Sequence, residues 1–179
     1  MATFVVIIGP PAVGKMTVGQ NIATKTPFKL FHNHLIIEAL LPVFDFESES
    51  YQKLSKEFRT RVFQEAIASN IKGIIFTYVL AFNHPAGVKQ LFAWIELFQQ
   101  HNFDVYIVEL QASLQERLQR NETAHRLQHK QSKRNLASSR QILLKNEQEW
   151  VMQSPPNMFE SLPYLKINID HLSPEETAN

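Results

Sequence analysis

The chain has no cysteine, so neither a disulfide framework nor a thiolate metal site is open to it. An excess of one charge is missing too. Eighteen basic against 17 acidic side chains leave a formal net charge of +1, too little for a field that draws in duplex nucleic acid or an anionic membrane. Any anion binding has to be local. Long apolar runs are absent: the amino-terminal one covers only Phe4 to Ile8, far short of the about 20 residues of a membrane span, and no basic leader accompanies it. These absences predict a soluble, cytoplasmic protein with neither nucleic acid nor membrane as partner. No repeat, low-complexity tract or linker breaks up the 179 residues, which by length make a single domain over 1–179. Glycine is scarce, five in all, and two of the five bracket one loop.

That loop organises the rest. Phe4-Val5-Val6-Ile7-Ile8 is continuously apolar and mostly β-branched, the pattern of a strand buried on both faces. The chain then turns at Gly9-Pro10-Pro11 and resumes as a helix at Gly14-Lys15-Met16-Thr17. The spacing fits G-x-x-x-x-G-K. Its glycines clear side chains away so that successive N–H groups converge on phosphate oxygens, the helix dipole adds to the attraction, and the lysine supplies a point charge. Gly9, Ala12, Val13, Gly14, Lys15, Met16 and Thr17 are therefore the candidate nucleotide-binding residues, with Lys15 also a catalytic candidate. Met16 stands where the pattern has Ser or Thr to ligate Mg²⁺, and a thioether does not bind that ion.

Pro27 ends the first helix, and Phe28 to His32 reads as a second strand. A short helix follows over His34–Leu41, then an acidic connector in which Ser48 or Ser50 can cap a long helix running from Tyr51 to Ser69. Ile71–Leu80, Val105–Leu110 and Leu165–Ile169 supply three further strands. Helices over Val88–Gln100, Leu114–Asn121 and Ile142–Val151 separate them, and Ser173-Pro174 starts a last short one. This alternation predicts an α/β fold: a five-stranded parallel sheet with helices on both faces and right-handed crossovers. Ligands of such sheets bind beyond the carboxyl ends of the strands.

Gly-Lys-Met-Thr resembles the Gly-Lys-Gly-Thr loop of adenylate kinases, where the hydroxyl also comes one place late. That resemblance makes Thr17 the candidate metal residue, the ion being held largely by water and nucleotide oxygens. His32-Asn33-His34-Leu35-Ile36-Ile37-Glu38 resembles the D-x-D-x-x-x-E stretch of shikimate kinases, with imidazoles in place of the aspartates that lie near metal and acceptor hydroxyl. His34, together with His32, becomes the candidate contact to a phosphoryl acceptor, as base or as hydrogen-bond donor. The basic segment from Arg117 through Arg120, Arg126, Lys130, Lys133 and Arg134 to Arg140 is similar to the mobile lid that small-molecule and nucleotide kinases carry between two late helices. The resemblance implies Arg117 packed on adenine, and Arg120 and Arg126 on the phosphates. No acidic residue closes the third strand, which leaves Glu38 and Glu109 as substitutes for a carboxylate around the metal.

The chain thus resembles the P-loop small-molecule and nucleotide kinases, the shikimate-kinase-like and adenylate-kinase-like group. The resemblance implies a nucleotide-kinase-like P-loop NTPase fold with a helical lid over 117–140, ATP and Mg²⁺ as cofactors, and transfer of the γ-phosphoryl group to a small-molecule hydroxyl acceptor. Two alternatives stay open. A nucleotide kinase needs a phosphate-bearing acceptor, which Arg59 and Arg61 on the long helix could face. A slow ATPase serving as a regulatory module is consistent with the missing carboxylates. Acceptor identity and oligomeric state are not encoded in any motif.

Overall fold

The elements follow in the order β1 (Ala2–Ile8), α1 (Lys15–Lys25), β2 (Lys29–His32), α2 (His34–Leu40), α3 (Glu49–Ala68), β3 (Gly73–Tyr78), α4 (Pro85–Gln100), β4 (Phe103–Gln111), α5 (Leu114–Arg120), α6 (Ala124–His129), α7 (Leu136–Glu149), β5 (Tyr164–Asn168) and α8 (Pro174–Thr177). They come from a computed structural model that describes residues 2–179. All five strands are parallel, in the order β2-β3-β1-β4-β5. The apolar run of β1 is therefore central, with Ile8 opposite Tyr78 on one side and Glu109 on the other. His32 pairs with Thr77, so the ends of β2, β3, β1 and β4 open onto one edge of the sheet. From β1 the chain first moves outward to β2 and later crosses to β4, which makes the end of β1 the switch point.

Alternation along β1 divides the core. Phe4, Val6 and Ile8 pack with Phe63 of α3 and with Trp94 and Phe98 of α4, whereas Val5 and Ile7 pack with Val18 of α1, Ile75, Leu110 and Ile169. Helices thus cover both faces. The α3–α4 side is aromatic: Phe63 meets Phe4, Phe76, Trp94 and Phe98 edge-on at centroid distances of 5.0–5.6 Å, and Phe4 stacks on Phe98 at 3.8 Å. Edge-to-face pairs of this kind add about 0.5–1.5 kcal/mol beyond area burial. A rigid wall therefore stands behind the strand that ends in the glycine loop.

The helix starts are set by side-chain caps. Ser48, rather than Ser50, accepts from the Tyr51 amide, Ser113 from Glu116, and Ser173 forms a capping box with Glu176. Several element bounds differ from expectation, β3 and α7 among them. β3 leaves the sheet at Tyr78 instead of reaching Leu80. α7 begins at Leu136, well before Ile142, because Asn135 caps it by accepting from the Ser138 amide. Ala137, Ser138 and Arg140 carry no apolar periodicity, so that first turn is invisible to pattern reading. Among the described residues no helix is long and apolar enough to cross a membrane.

Candidate functional site

The loop between β1 and α1 is held open by backbone conformation. Gly9 (φ 142°), Ala12 (φ 63°) and Gly14 (φ 113°) all lie at positive φ, the alternation that forms an anion-binding nest. At Gly9 a Cβ would come within 2.4 Å of the Leu110 carbonyl oxygen, so glycine is demanded there twice over. Among the described residues none accepts a hydrogen bond from the amides of Ala12, Gly14, Lys15, Met16 or Thr17. Five unfilled donors at the start of an 11-residue helix suit an anion. Lys15 is buried and donates from Nζ to the carbonyls of Gly9 (2.6 Å) and Pro10 (2.7 Å). Burial first, then Lys130, Arg126 and Arg117, push its pKa well below the usual lysine value.

Facing the loop are the end of β2 and the start of α2. His32 Nδ1 and His34 Nε2 are buried without a hydrogen-bond partner. Burial, then Lys130 and His129, lower His32 to about 4, and burial, then Lys130, Arg126 and Lys133, drive His34 down as well. Both imidazoles are therefore neutral at physiological pH, each with a ring nitrogen to spare.

The segment after α5 folds over this cleft. Ser132, in a 3-10 turn at Gln131–Lys133, donates to Glu38 from its amide (3.0 Å) and its hydroxyl (2.6 Å), latching α6 and the turn onto α2. Arg126 is brought inside, its Nε buried and unpaired, and burial lowers its pKa to about 10. Burial, with Arg126 and Lys133 beside it, lowers Lys130 to about 7. Lys130 thus acts on Lys15 and on both histidines, Arg126 on Lys15 and His34, and Lys133 on His34, while Glu38, the one carboxylate that acts on Lys130 and Lys133, also accepts from Ser132. Two surface grooves lie elsewhere and share no lining residue with this cluster: one of about 420 Å³ beside Leu114, Leu118 and Arg140, and one of about 330 Å³ beside Pro156 and Tyr164.

Behind it, Arg59 of α3 donates from Nε to Asn33 Oδ1 (2.8 Å), with Tyr51 and Tyr78 close enough to act on its charge, and the Tyr51 hydroxyl is buried without a partner. Arg61, two residues on, points to solvent and pairs with Glu65 at 2.5 Å.

Three sequence expectations are redirected by this geometry. Arg117 is only 3% exposed, donates from Nε to the Ala112 carbonyl (3.2 Å) and pairs with Glu147 of α7 (2.5 Å), so it bolts α5 to α7 instead of offering a face to adenine. Arg120 spends its guanidinium on main chain and on its own helix: Nη1 donates to Val13 (2.8 Å), Nη2 to Ile169 (2.8 Å) and Nε to Glu116 (3.0 Å). It braces the loop from outside, with all three guanidinium nitrogens engaged within the protein. Glu109 is fully buried, accepting from the Tyr164 hydroxyl (2.8 Å) and the Ser154 amide (3.3 Å) with Lys166 at 3.4 Å, and has nothing left for a metal shell. The residues that pattern reading undervalued are Lys130, Lys133 and the Ser132–Glu38 latch. The basic run contained both lysines, but a contact spanning 94 residues has no local signature.

Arg120→Lys is expected to cost about 1–3 kcal/mol of stability and to weaken nucleotide binding with it, because an ammonium cannot span both carbonyls as a guanidinium does. Thermal melts and nucleotide titrations on the variant check this. Unchanged values in both would remove the brace.

The loop, its five unfilled amides and the cations around it fit a polyphosphate. Mg²⁺ fits poorly. Met16 is buried and offers sulfur, Thr17 contributes a single half-buried hydroxyl, and among the described residues no group of three metal-ligating side chains occurs.

No family model matches the sequence, and no curated protein matches it. Solved structures do. Shikimate kinase from Acinetobacter baumannii in complex with shikimate is 18% identical, with a TM-score of 0.57 over 99% of this chain and 89% of that one. APS kinase from Mycobacterium tuberculosis in complex with AMPPNP and APS is 15% identical, with a TM-score of 0.59 over 99% and 93%. A gluconokinase from Sinorhizobium meliloti is 12% identical, with a TM-score of 0.55 over 99% and 87%. The fold is that of the P-loop kinases.

Proposed function

We propose that this chain is an ATP-dependent phosphotransferase acting on a small hydroxyl-bearing acceptor. The observation that carries the reading is the concentration of Lys15, Arg126, Lys130 and Lys133 near a loop of unfilled amides, with Glu38 the one carboxylate acting on Lys130 and Lys133. Phosphoryl transfer is chiefly a matter of positioning and charge stabilisation, and these groups supply both. The amides and Lys15 take the β- and γ-phosphates, Lys15 exchanging the Gly9 and Pro10 carbonyls for phosphate oxygens. Within the 117–140 segment the part after α5, from α6 through the Gln131–Lys133 turn, is the moving lid, while Arg117 and Arg120 stay fixed to the body. It must lift from Glu38 to admit nucleotide, and on return it brings Arg126 and Lys130 to the γ-phosphoryl group.

The acceptor sits between α3 and the histidines. As its oxygen bonds to the γ-phosphorus and the bond to the β-phosphate oxygen breaks, its proton passes to His34, whose Nε2 is unpaired. His34 is a weak base beside so many cations, but a bound triphosphate raises its pKa toward the ordinary value. Arg59, half-buried beside Asn33, favours a second feature of the acceptor, an acidic group held by the guanidinium, and this is also the observation that favours a nucleotide kinase.

The test is ADP production from ATP over a panel of hydroxylated metabolites, with and without an acidic group. Acceptor-dependent turnover establishes the kinase. Tight ATP binding without it across the panel establishes a nucleotide-dependent module instead.

Nucleotide binding is also expected to be linked to protons. Lys130 stands at about 7 in the free protein because its ammonium is disfavoured by burial. Phosphate favours that ammonium, so above neutral pH binding takes up protons, and affinity falls as pH rises above about 7. Calorimetry in buffers of different ionisation enthalpy measures the uptake. A value of zero on the alkaline side would remove Lys130 from the phosphate site.

A further inference from the structure

The nucleotide site is provided with positive charge by the protein itself and has little with which to hold a divalent cation. Met16 occupies the place of a hydroxyl ligand, and β3 ends in Thr77-Tyr78 without a carboxylate. Glu109 is sealed among Tyr164, Ser154 and Lys166, and Glu38 is held by both donors of Ser132. At the end of β2 and the start of α2, the stretch that resembles an aspartate-bearing one, stand His32 and His34, nitrogen donors that Mg²⁺ disfavours, each with a buried unpaired ring nitrogen. Close enough to depress both imidazoles is Lys130, and Arg126 and Lys133 act on His34 as well. A cation added here would meet other cations.

From this disagreement between donor set and expected metal we infer that the site selects the uncomplexed, fully ionised triphosphate over its magnesium complex, with Lys130, Arg126 and Lys133 of the lid taking the neutralising role of the metal. The inference rests on the phosphate-loop reading of the site. Its electrostatic logic is simple. The free nucleotide carries two more negative charges than the magnesium complex, and a half-buried cationic cluster rewards that difference. Thr17 then serves the phosphates as a hydroxyl donor and not as a metal ligand.

The experiment is a calorimetric titration of the full chain with the β,γ-imido analogue of ATP near neutral pH, once in EDTA and once in excess magnesium chloride. Binding tighter in EDTA by about tenfold or more is expected. Equal affinity, or tighter binding with magnesium, overturns the inference while leaving the loop reading intact. Binding under neither condition overturns the loop reading itself. Lys130→Gln removes a buried cation that no carboxylate fully compensates, so it should fold normally, and in it the ratio between the two affinities should shrink toward one. A ratio that stays at its parent value would show that the lid cations do not set the preference.

Discussion

Lys15→Met is expected to lower nucleotide affinity and acceptor-dependent turnover by about 10²–10³-fold while leaving the melting temperature equal to or above that of the parent. The two halves of this expectation come from the same observation. Lys15 is buried among Lys130, Arg126 and Arg117, and its pKa is depressed, so folding disfavours its ammonium. A base depressed in this way contributes no stability as a cation. The fold is at its most stable with respect to this group above the unfolded-state lysine value and loses stability as pH falls toward the folded-state one. Methionine matches the length of the apolar stem and carries no charge to desolvate. What it gives up are the bonds to the Gly9 and Pro10 carbonyls, which a phosphate-bound lysine would release anyway. A lysine kept for structure would show the opposite pattern, a lower melting temperature with nucleotide affinity preserved. Differential scanning fluorimetry with and without the ATP analogue reads both quantities in one experiment, since a ligand bound only by the native state raises stability by RT ln(1 + [L]/Kd).

Gly9→Ala is expected to have the largest effect on stability, about 3–5 kcal/mol, measured by chemical denaturation. The added Cβ falls 2.4 Å from the carbonyl oxygen of Leu110, a main-chain atom of β4 that cannot turn aside as a side chain would, and the residue already sits at φ 142°. Relief requires β1 and β4 to separate at the point where Ile8 and Glu109 lie in register. Gly14→Ala provides the comparison. Its nearest neighbour is Ile169 Cδ1 at 3.6 Å, so only the strained φ of 113° counts, at about 1–2 kcal/mol. If the two variants lost equal stability, backbone conformation alone would govern the loop, and contact with β4 would have no part in it.

The elements that the amino-acid sequence displayed most clearly are those whose determinants lie within a few residues of one another. β1 announced itself by five apolar residues in a row, the loop by two glycines and a lysine at fixed spacing, and the starts of α3, α5 and α8 by serine caps. Where the decisive neighbour is distant, the residue type was visible but its role was not. Arg117 and Arg120 are visible as arginines in the basic segment, yet Glu147 and the carbonyls of Val13 and Ile169 decide which contacts they make, and those partners come from other elements. Arg59 and Arg61 could have been separated in advance. Residues two apart on a helix point to opposite sides, so only one of them could have faced an acceptor. The depressed basicity of His34 was illegible for the same reason as the latch, because Lys130, Arg126 and Lys133 reach it only through the fold.

Arg120 ties Val13, near the start of the chain, to Ile169, near its far end. During synthesis the Gly9–Thr17 segment leaves the ribosome early, but the brace that steadies it is finished only when β5 has emerged and docked against β4. A nascent chain therefore completes this brace only after β5 has emerged, and truncations that stop short of Ile169 leave the loop with the right residues and one of its struts missing.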